Sequence, residues 1–243
     1  MSPRRERLDV LLVQRGLAET RERAHALILS GSVRVDSAPA TRPAQATPDT
    51  ARLEVAPTES QYVSRGALKL QKALDAWQID PSNRVVLDVG ASTGGFTDLL
   101  LQRGASKVYA VDVGYGQLHY KLRNDPRVIS HERTNIRHVT QLPELAQLGV
   151  VDVSFISLRL ALPPMFALVT DEIVALVKPQ FEAGREQVGK GGVVRDAGVR
   201  QQVIDGLRQW SATQPWRLVE TVESPIKGPA GNVEFLSHWL PER

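Results

Sequence analysis

The stretch from Val85 to Asp98 constrains the fold of this chain more than any other part of its sequence. An apolar, β-type run ends at the acid Asp88, a loop with three glycines follows, and an apolar helical pattern begins at Phe96. A strand, a glycine-rich turn and a helix in this order bring main-chain N–H groups close to a nucleotide-like cofactor. The glycines fall at positions 90, 94 and 95 and not in the G-x-G-x-x-G spacing, which weakens the interpretation as a dinucleotide site.

Composition narrows the class of protein. The chain has no cysteine, which excludes disulfides and cysteine-ligated zinc. The charged N-terminus leads into no long apolar region, and the most apolar stretch, Leu160 to Thr170, is far shorter than the ~20 residues that span a bilayer. We therefore expect a cytoplasmic protein without a membrane partner. A net charge of +3 permits a nucleic-acid partner without demonstrating one.

Strand and helix patterns alternate from Asn83 onward. The predicted strands cover residues 84–88, 107–113, 150–155, 173–178, 217–224 and 234–240, and the predicted helices include 96–103 and 199–210. This alternation predicts an α/β fold with a Rossmann-like, doubly wound parallel sheet, in which ligands bind outside the carboxyl ends of the strands. A helix from Arg65 to about Trp77, with Ser64 as its N-cap, is predicted to precede the sheet.

The N-terminal part has a different pattern. A short amphipathic helix stops at Gly16, Thr20 is the predicted N-cap of a second helix from Arg21 to Leu29, and short strands follow near residues 32–36 and 53–55. The residues that carry a resemblance to the S4 RNA-binding domain are 7–9, 12, 16–18, 20–21, 24, 27–28, 31 and 33–36. The predicted organisation is a small α+β S4-like domain over 5–56, a linker over 57–63 and a large domain over 64–243.

The resemblance to S4 domains implies contact with structured RNA through the two helices. Cations there would bind phosphates, which positions RNA without specifying its sequence. The predicted RNA-binding residues are Arg4, Arg7, Arg15, Arg21, Arg23 and Arg65, together with Lys190 and Arg195 from a glycine-rich segment of the large domain. The alternatives are that the arginines form an ordinary solvated face, offset by nearby acids, and that residues 189–196 are a plain surface loop.

Charged residues end several of the predicted strands. Asp112 follows the second strand of the large domain, where an acid accepts hydrogen bonds from a ribose diol. Asp152 and Lys178 end the fourth and fifth strands, and a lysine directly after a buried strand is uncommon because burial of an ammonium is costly. An acid before a G-x-x-x-G turn resembles motif I of the S-adenosylmethionine-dependent methyltransferases.

Several further motifs resemble the TlyA family of ribosomal RNA 2′-O-ribose methyltransferases, whose large domain is FtsJ-like. They lie at residues 62–67, 69–70, 88–97, 112–118, 123–128, 132–135, 154–158, 178–182, 228–229 and 231–234. FtsJ-like enzymes carry a Lys-Asp-Lys-Glu tetrad. Matched motif by motif, this catalytic tetrad falls on Lys69, Asp152, Lys178 and Glu234.

The resemblance implies methyl transfer from S-adenosylmethionine to a ribose 2′-hydroxyl. A free alcohol is a weak nucleophile, so a positioned base helps, and Lys178 is the candidate. Lys69 and partial burial would favour loss of its proton, whereas Asp152 and Glu234 would oppose it and orient the lysines. The alternative is that Lys178 stays charged and steers the hydroxyl or a phosphate. Alignment should contribute much of the rate.

The residues expected to bind the cofactor surround motif I and the strand ends: Asp88, Gly90, Ser92, Thr93, Gly94, Gly95, Phe96, Asp112, Asn135 and Asp152. Phe96, in the loop after motif I, is expected to pack on the cofactor, and Asn135 to contact adenine. The five histidines have no metal-ligand spacing, so no metal is assigned.

The expected substrate is ribosomal RNA, either free or in ribosomal subunits. The family resemblance points to a cytidine of large-subunit (23S) RNA, with 16S RNA as a further target. The chain ends soon after Glu234, which favours large-subunit activity alone. Two alternatives remain: a haemolysin acting on membranes, a label often attached to this family, and an RNA-binding ribosome-biogenesis factor without catalysis. The intact tetrad argues against the second.

Overall fold

The computed structural model describes residues 4–55 and 61–242. The chain divides into two compact units, Met1–Arg65 and Gly66–Arg243. Of the predicted linker 57–63, residues 57–60 lie outside the described residues.

The first unit builds a small core from two helices and short strands. Its elements are β1 (Arg5–Arg7), α1 (Leu8–Gln14), α2 (Arg21–Leu29), β2 (Val33–Val35), β3 (Ala38–Pro39), β4 (Ala46–Pro48) and β5 (Leu53–Val55). Leu12, Ile28 and Val33 are fully buried in this core. The predicted second helix is confirmed, and so is its cap, because the Thr20 hydroxyl accepts a hydrogen bond from the Arg23 N–H at 3.1 Å.

The second unit is a seven-stranded sheet flanked by helices. Its elements are α3 (Ala67–Trp77), β6 (Val85–Val89), α4 (Gly95–Gln102), β7 (Lys107–Val111), α5 (Tyr120–Arg123), β8 (Val128–His131), β9 (Ala146–Val151), α6 (Leu158–Phe166), β10 (Val169–Val177), α7 (Pro179–Glu182), α8 (Ala197–Ser211), β11 (Trp216–Glu223) and β12 (Phe235–Pro241). The strand order is β11-β12-β10-β9-β6-β7-β8. The predicted Rossmann-like α/β architecture is confirmed.

The central strands are parallel, and β6 is buried along its whole length, as expected for a strand covered on both faces. The prediction of a parallel sheet is corrected at one strand. β12 lies between β10 and β11 and is antiparallel to both. The start of β12 therefore lies at the same edge of the sheet as the end of β10, with Phe235 opposite Val177.

One local prediction needs correction, and one helix of the sheet domain contains two prolines. The helix before the sheet begins at Ala67 with Gly66 as its N-cap, so Ser64 does not cap it. Most of the apolar stretch from Leu160 to Thr170 lies in α6, although Pro163 and Pro164 lie inside this helix. Proline removes a helical hydrogen bond, but Ala161, Leu162 and Met165 are fully buried, and this packing offsets the loss.

An ion-pair cluster ties α3 to the sheet. The Nε2 atom of His238 lies 2.9 Å from a Glu172 carboxylate oxygen, Arg84 bonds the other oxygen, and the His238 ring stacks on Trp77 at 5.0 Å. Burial raises the pKa of Glu172, but the hydrogen bonds from His238 and Arg84 outweigh burial, so its pKa lies below the ordinary value of 4.5. The cluster helps to hold α3 against β12.

This lowered pKa predicts a pH dependence of stability. As pH falls, the Glu172 carboxylate takes up a proton in the unfolded chain at a higher pH than in the folded chain. The stability that the charged carboxylate contributes to the folded state is therefore present above pH ~4.5 and is lost as pH falls through the lower folded pKa. Glu172→Gln should therefore flatten the acid side of the curve of unfolding free energy against pH. Urea denaturation at several pH values measures it, with exposed Glu223→Gln as control. An unchanged slope in Glu172→Gln would contradict the assignment.

Candidate active site

A cavity of about 750 Å³ opens at the carboxyl ends of β6, β7 and β9. Five of the predicted cofactor-binding residues line it: Gly90, Ser92, Asp112, Asn135 and Asp152. They come from loops after four different strands, which meet because parallel strands end at one edge of the sheet. A cavity of this size suits a nucleoside-sized ligand.

Position 90 requires a glycine because two loops approach each other closely there. Its φ is +85°, and a Cβ atom there would lie 2.3 Å from the carbonyl oxygen of Asp152. The turn after β6 therefore passes directly over the end of β9. The same turn is held from the other side, because the Asp112 carboxylate accepts hydrogen bonds from Ser92 N–H at 2.7 Å and Gly114 N–H at 2.6 Å. These contacts fix the Asp112 carboxylate at the cavity wall.

Gly90→Ala should disrupt this turn. The added methyl group meets backbone and not a flexible side chain, so we expect a loss of unfolding free energy about 1–3 kcal/mol larger than for Gly116→Ala. Gly116 is a matched control, since its φ is +68° but the space around its Cβ position is open. Chemical denaturation of both variants measures the difference. Equal losses would mean that only backbone strain matters at position 90.

The other predicted cofactor residues do not line this cavity. Asp88 is fully buried and accepts a hydrogen bond from the Thr97 hydroxyl at 2.6 Å. Burial raises the pKa of Asp88 to about 7, and the bond from Thr97 offsets only part of that rise. Phe96 does not lie in the loop, because it is a buried residue of α4, where it packs inside the domain. Thr93 and Gly94 complete the turn that leads into α4, and Gly95 is the first residue of this helix.

The four predicted tetrad residues come together at the same edge of the sheet. Lys69 lies on α3, Asp152 directly follows β9, and Lys178 directly follows β10. Glu234 directly precedes β12, and it reaches this edge because β12 is antiparallel to β10. Asp152 also lines the cavity, so the tetrad adjoins it.

The tetrad forms two linked ion pairs. Lys69 Nζ lies 2.7 Å from Glu234 Oε2 and 4.0 Å from Asp152 Oδ2, and Lys178 Nζ lies 2.6 Å from Asp152 Oδ1. Lys69, Lys178 and Glu234 are buried, while Asp152 is partly exposed. Asp152 thus bridges the two lysines at the cavity wall, and each lysine has a carboxylate of its own.

Three residues near the tetrad were not among the predicted site residues. Ser154 Oγ accepts a hydrogen bond from Lys178 Nζ at 2.8 Å. Phe155 is 90% exposed, has a left-handed φ of +65°, and its ring lies 5.2 Å from that of Phe181. The Glu182 carboxylate accepts hydrogen bonds from the Ser157 hydroxyl and Leu158 N–H, both at 2.7 Å. Their motifs were visible in the sequence, but these contacts between loops were not.

Several of the predicted RNA-binding arginines form hydrogen bonds within the first unit. Buried Asp9 accepts hydrogen bonds from Arg7 at 2.9 and 2.8 Å and from Arg21 at 3.0 Å. Arg15 bonds the carbonyls of Asp49 and Ala51, and Arg65 bonds that of Ser30. Arg4 is exposed and Arg23 half-buried. These bonds orient several guanidinium groups while leaving part of each at the surface.

Membrane and metal partners were not expected from the sequence. Within residues 4–55 and 61–242, no helix is long and apolar enough to cross a membrane. No group of three or more His, Cys, Asp or Glu side chains in the same ranges could hold a metal ion.

Each of the two units matches a known protein family. Residues 62–239 match the FtsJ-like methyltransferase family, and residues 6–46 match the S4 domain. The chain is 49% identical over 244 residues to the 16S/23S rRNA (cytidine-2′-O)-methyltransferase TlyA of Mycobacterium tuberculosis, covering 98% of this chain and 90% of that protein. It is 42% identical to Hemolysin A of Brachyspira hyodysenteriae, covering 96% and 99%.

A solved structure shares the fold as well. The protein named "Putative hemolysin from Streptococcus thermophilus" superimposes with a TM-score of 0.76 at 42% identity, covering 99% of this chain and 90% of that one. The tetrad, the cavity at the sheet edge and these matches over nearly the whole length lead to one conclusion. The chain belongs to the TlyA family, whose members join an S4 domain to an FtsJ-like, S-adenosylmethionine-dependent methyltransferase domain.

Proposed function

We propose that this protein transfers a methyl group from S-adenosylmethionine to the ribose 2′-hydroxyl of a cytidine in ribosomal RNA, with 23S RNA as the first target. The observation that carries the proposal is the Lys69–Asp152–Lys178–Glu234 cluster beside the cavity. The name of the M. tuberculosis relative supports the ribose 2′-oxygen as the methyl acceptor and cytidine as the target nucleoside. That name also includes 16S RNA, which we propose as a second target.

The residues at the cavity fit S-adenosylmethionine. The Asp112 carboxylate retains acceptor capacity for a ribose diol beyond its two main-chain bonds, and Gly90 leaves room for close approach to the main chain. Asn135 and Asp152 line the same cavity. When bound, the cofactor supplies an electrophilic methyl group on a sulfonium. The roles of Asp88, Thr93, Gly94, Gly95 and Phe96 would then be indirect, through the shape of the turn.

As the general base, Lys178 would accept the proton that the 2′-hydroxyl loses as the methyl group passes from the cofactor's sulfur to the hydroxyl oxygen. Asp152 holds the Lys178 side chain in place, with its Oδ1 atom 2.6 Å from the Nζ atom. Ser154 fixes the direction of the Nζ atom by accepting its hydrogen bond. Glu234 holds Lys69, and Lys69 in turn faces Asp152.

Two surfaces suit the RNA acceptor. Phe155 exposes its ring next to Ser154, and aromatic rings stack on bases that have left a helix. The oriented cations of the first unit, Arg7 and Arg21 among them, suit phosphate groups. The S4 unit would thus hold the RNA while the larger unit does the chemistry. Action in the cytoplasm on ribosomal subunits is part of this proposal.

The test is methyl transfer itself. The protein is incubated with radiolabelled S-adenosylmethionine and, separately, with undermodified large subunits, small subunits and free RNA, and the labelled nucleotide is mapped. We expect label on the 2′-oxygen of a cytidine of 23S RNA. Absence of label on every RNA would overturn the proposal. Lysis of erythrocytes by the same preparation without RNA labelling would favour the haemolysin function that two relatives' names suggest.

A further inference from the structure

Residues 189–193 form a closed turn and not a loose loop. Gly189 N–H donates to the Val193 carbonyl at 3.1 Å, and Gly192 N–H donates to the Gly189 carbonyl at 3.0 Å. Lys190 is exposed at the tip of this hairpin. The Arg195 guanidinium folds back to 3.4 Å from the Cβ position of Gly189. The hairpin therefore presents its cations from a defined backbone.

A buried amide fastens this hairpin to the loop before β12. Asn232 is 1% exposed, and its Oδ1 accepts from Val194 N–H at 2.9 Å while its Nδ2 donates to the Gly192 carbonyl at 2.8 Å. One side chain thus satisfies a donor and an acceptor of a segment about forty residues away. Arg200 braces the same segment by donating to the carbonyls of Val194 and Arg195.

The loop that carries Asn232 also positions the tetrad. Gly228 N–H donates to the Asn232 carbonyl at 2.9 Å, and a Cβ on Gly228 would lie 2.3 Å from Glu234 Oε1. Gly228 therefore lies directly against the Glu234 carboxylate, which pairs with Lys69. Lys227, one residue before this turn, is exposed. A shift of the hairpin would be transmitted through Asn232 to the segment that holds Glu234.

We propose that Lys190, Arg195 and Lys227 form a phosphate-binding ledge for the RNA strand that flanks the target ribose, and that Asn232 is the positioning residue that locks this ledge to Glu234. The proposal rests on the proposed function for its ligand and adds Lys227, Asn232 and their coupling. Asp196 lies next to Arg195, but it caps α8 through Gly198 N–H, so its charge is directed to the helix end. Phosphodiester groups are the anions that separate cations on two joined loops suit, and Asn232 joins these two loops.

The experiment measures affinity for unmodified ribosomal RNA at several salt concentrations, together with the affinity for S-adenosylmethionine and the turnover number. Removal of one lysine–phosphate ion pair lowers the slope of log affinity against log salt by ~0.7–0.9. For Lys190→Ala combined with Lys227→Ala we therefore expect a slope reduced by about 1.4–1.8 and affinity on the order of tenfold lower. Arg208→Ala, which removes an exposed cation from the last turn of α8, should change neither.

Asn232→Ala tests the lock. With all cations present, it should lower the salt slope as the lysine pair does and also lower the turnover number, while cofactor affinity stays unchanged because Asn232 does not line the cavity. In the Asn232→Ala background, replacement of Lys190 and Lys227 should lower the salt slope and the RNA affinity little further. A wild-type slope in Asn232→Ala, or fully additive losses, would overturn the coupling. A wild-type slope in the lysine pair would overturn the ledge.

Two results separate failures of different kinds. If Asn232→Ala loses cofactor binding, Asn232→Asp replaces it, because a carboxylate still accepts from Val194 N–H but repels the Gly192 carbonyl, and the same losses are required of it. If the wild-type protein binds RNA with the expected salt dependence but methylates none, the proposed function fails while the ledge stands.

Discussion

Replacement of Lys178 by either alanine or arginine should reduce methyl transfer by about 10²–10⁴-fold, the usual contribution of a general base. Alanine removes the group entirely. Arginine keeps the positive charge and the ability to pair with Asp152, but it cannot give up a proton near neutral pH. Single-turnover rates with saturating cofactor and RNA measure the effect. Affinity for the cofactor should stay near that of the wild type, since Lys178 does not line the cavity.

The arginine variant decides between the two roles of Lys178. If the lysine acts as a charged group that steers the hydroxyl or a phosphate, Lys178→Arg should retain a substantial part of the activity that Lys178→Ala loses. If both variants are equally impaired, the base is supported. Lys72→Ala is the control, because Lys72 is an exposed lysine on the same helix as Lys69 and outside the tetrad.

The sequence predicts the parts of this site that follow from strand order. Asp112, Asp152 and Lys178 each directly follow a parallel strand, and parallel strands end at one edge of a sheet, so their proximity is expected from local patterns. Gly90 belongs to the same class, since a glycine-rich turn after the first strand predicts a close approach of main chain.

The remaining features depend on pairings between distant segments. Glu234 precedes its strand and reaches the site only because β12 is inserted antiparallel beside β10, which no local pattern indicates. Family resemblance found Glu234, whereas periodicity alone does not place it. Ser154 and Asn232 act through bonds between loops, and short polar residues in loops occur too often to single these two out. Phe96 shows the reverse case, because it was expected in the loop after motif I but is a buried residue of α4.

Removal of Glu234 should destabilise the folded protein as well as inactivate it. Glu234→Leu leaves the Lys69 ammonium buried beside an apolar side chain, with only Asp152 at 4.0 Å for compensation. Breaking a buried ion pair in this way costs about 3–5 kcal/mol of unfolding free energy. Asp75→Ala, which removes the carboxylate from the exposed Asp75–Arg103 pair, is the comparison, and it should cost no more than ~1 kcal/mol. Urea denaturation of both variants gives the two values.

The double variant Lys69→Met with Glu234→Leu separates stability from chemistry. Replacement of both charges by apolar groups of similar volume removes the unpaired ammonium, so most of the lost unfolding free energy should return. Methyl transfer should not return, because Asp152 and Lys178 are then left without the second ion pair that faces them. Recovery of activity along with stability would show that Lys69 and Glu234 only support the fold. Recovery of stability alone places the Lys69–Glu234 pair in the alignment of Asp152 and Lys178.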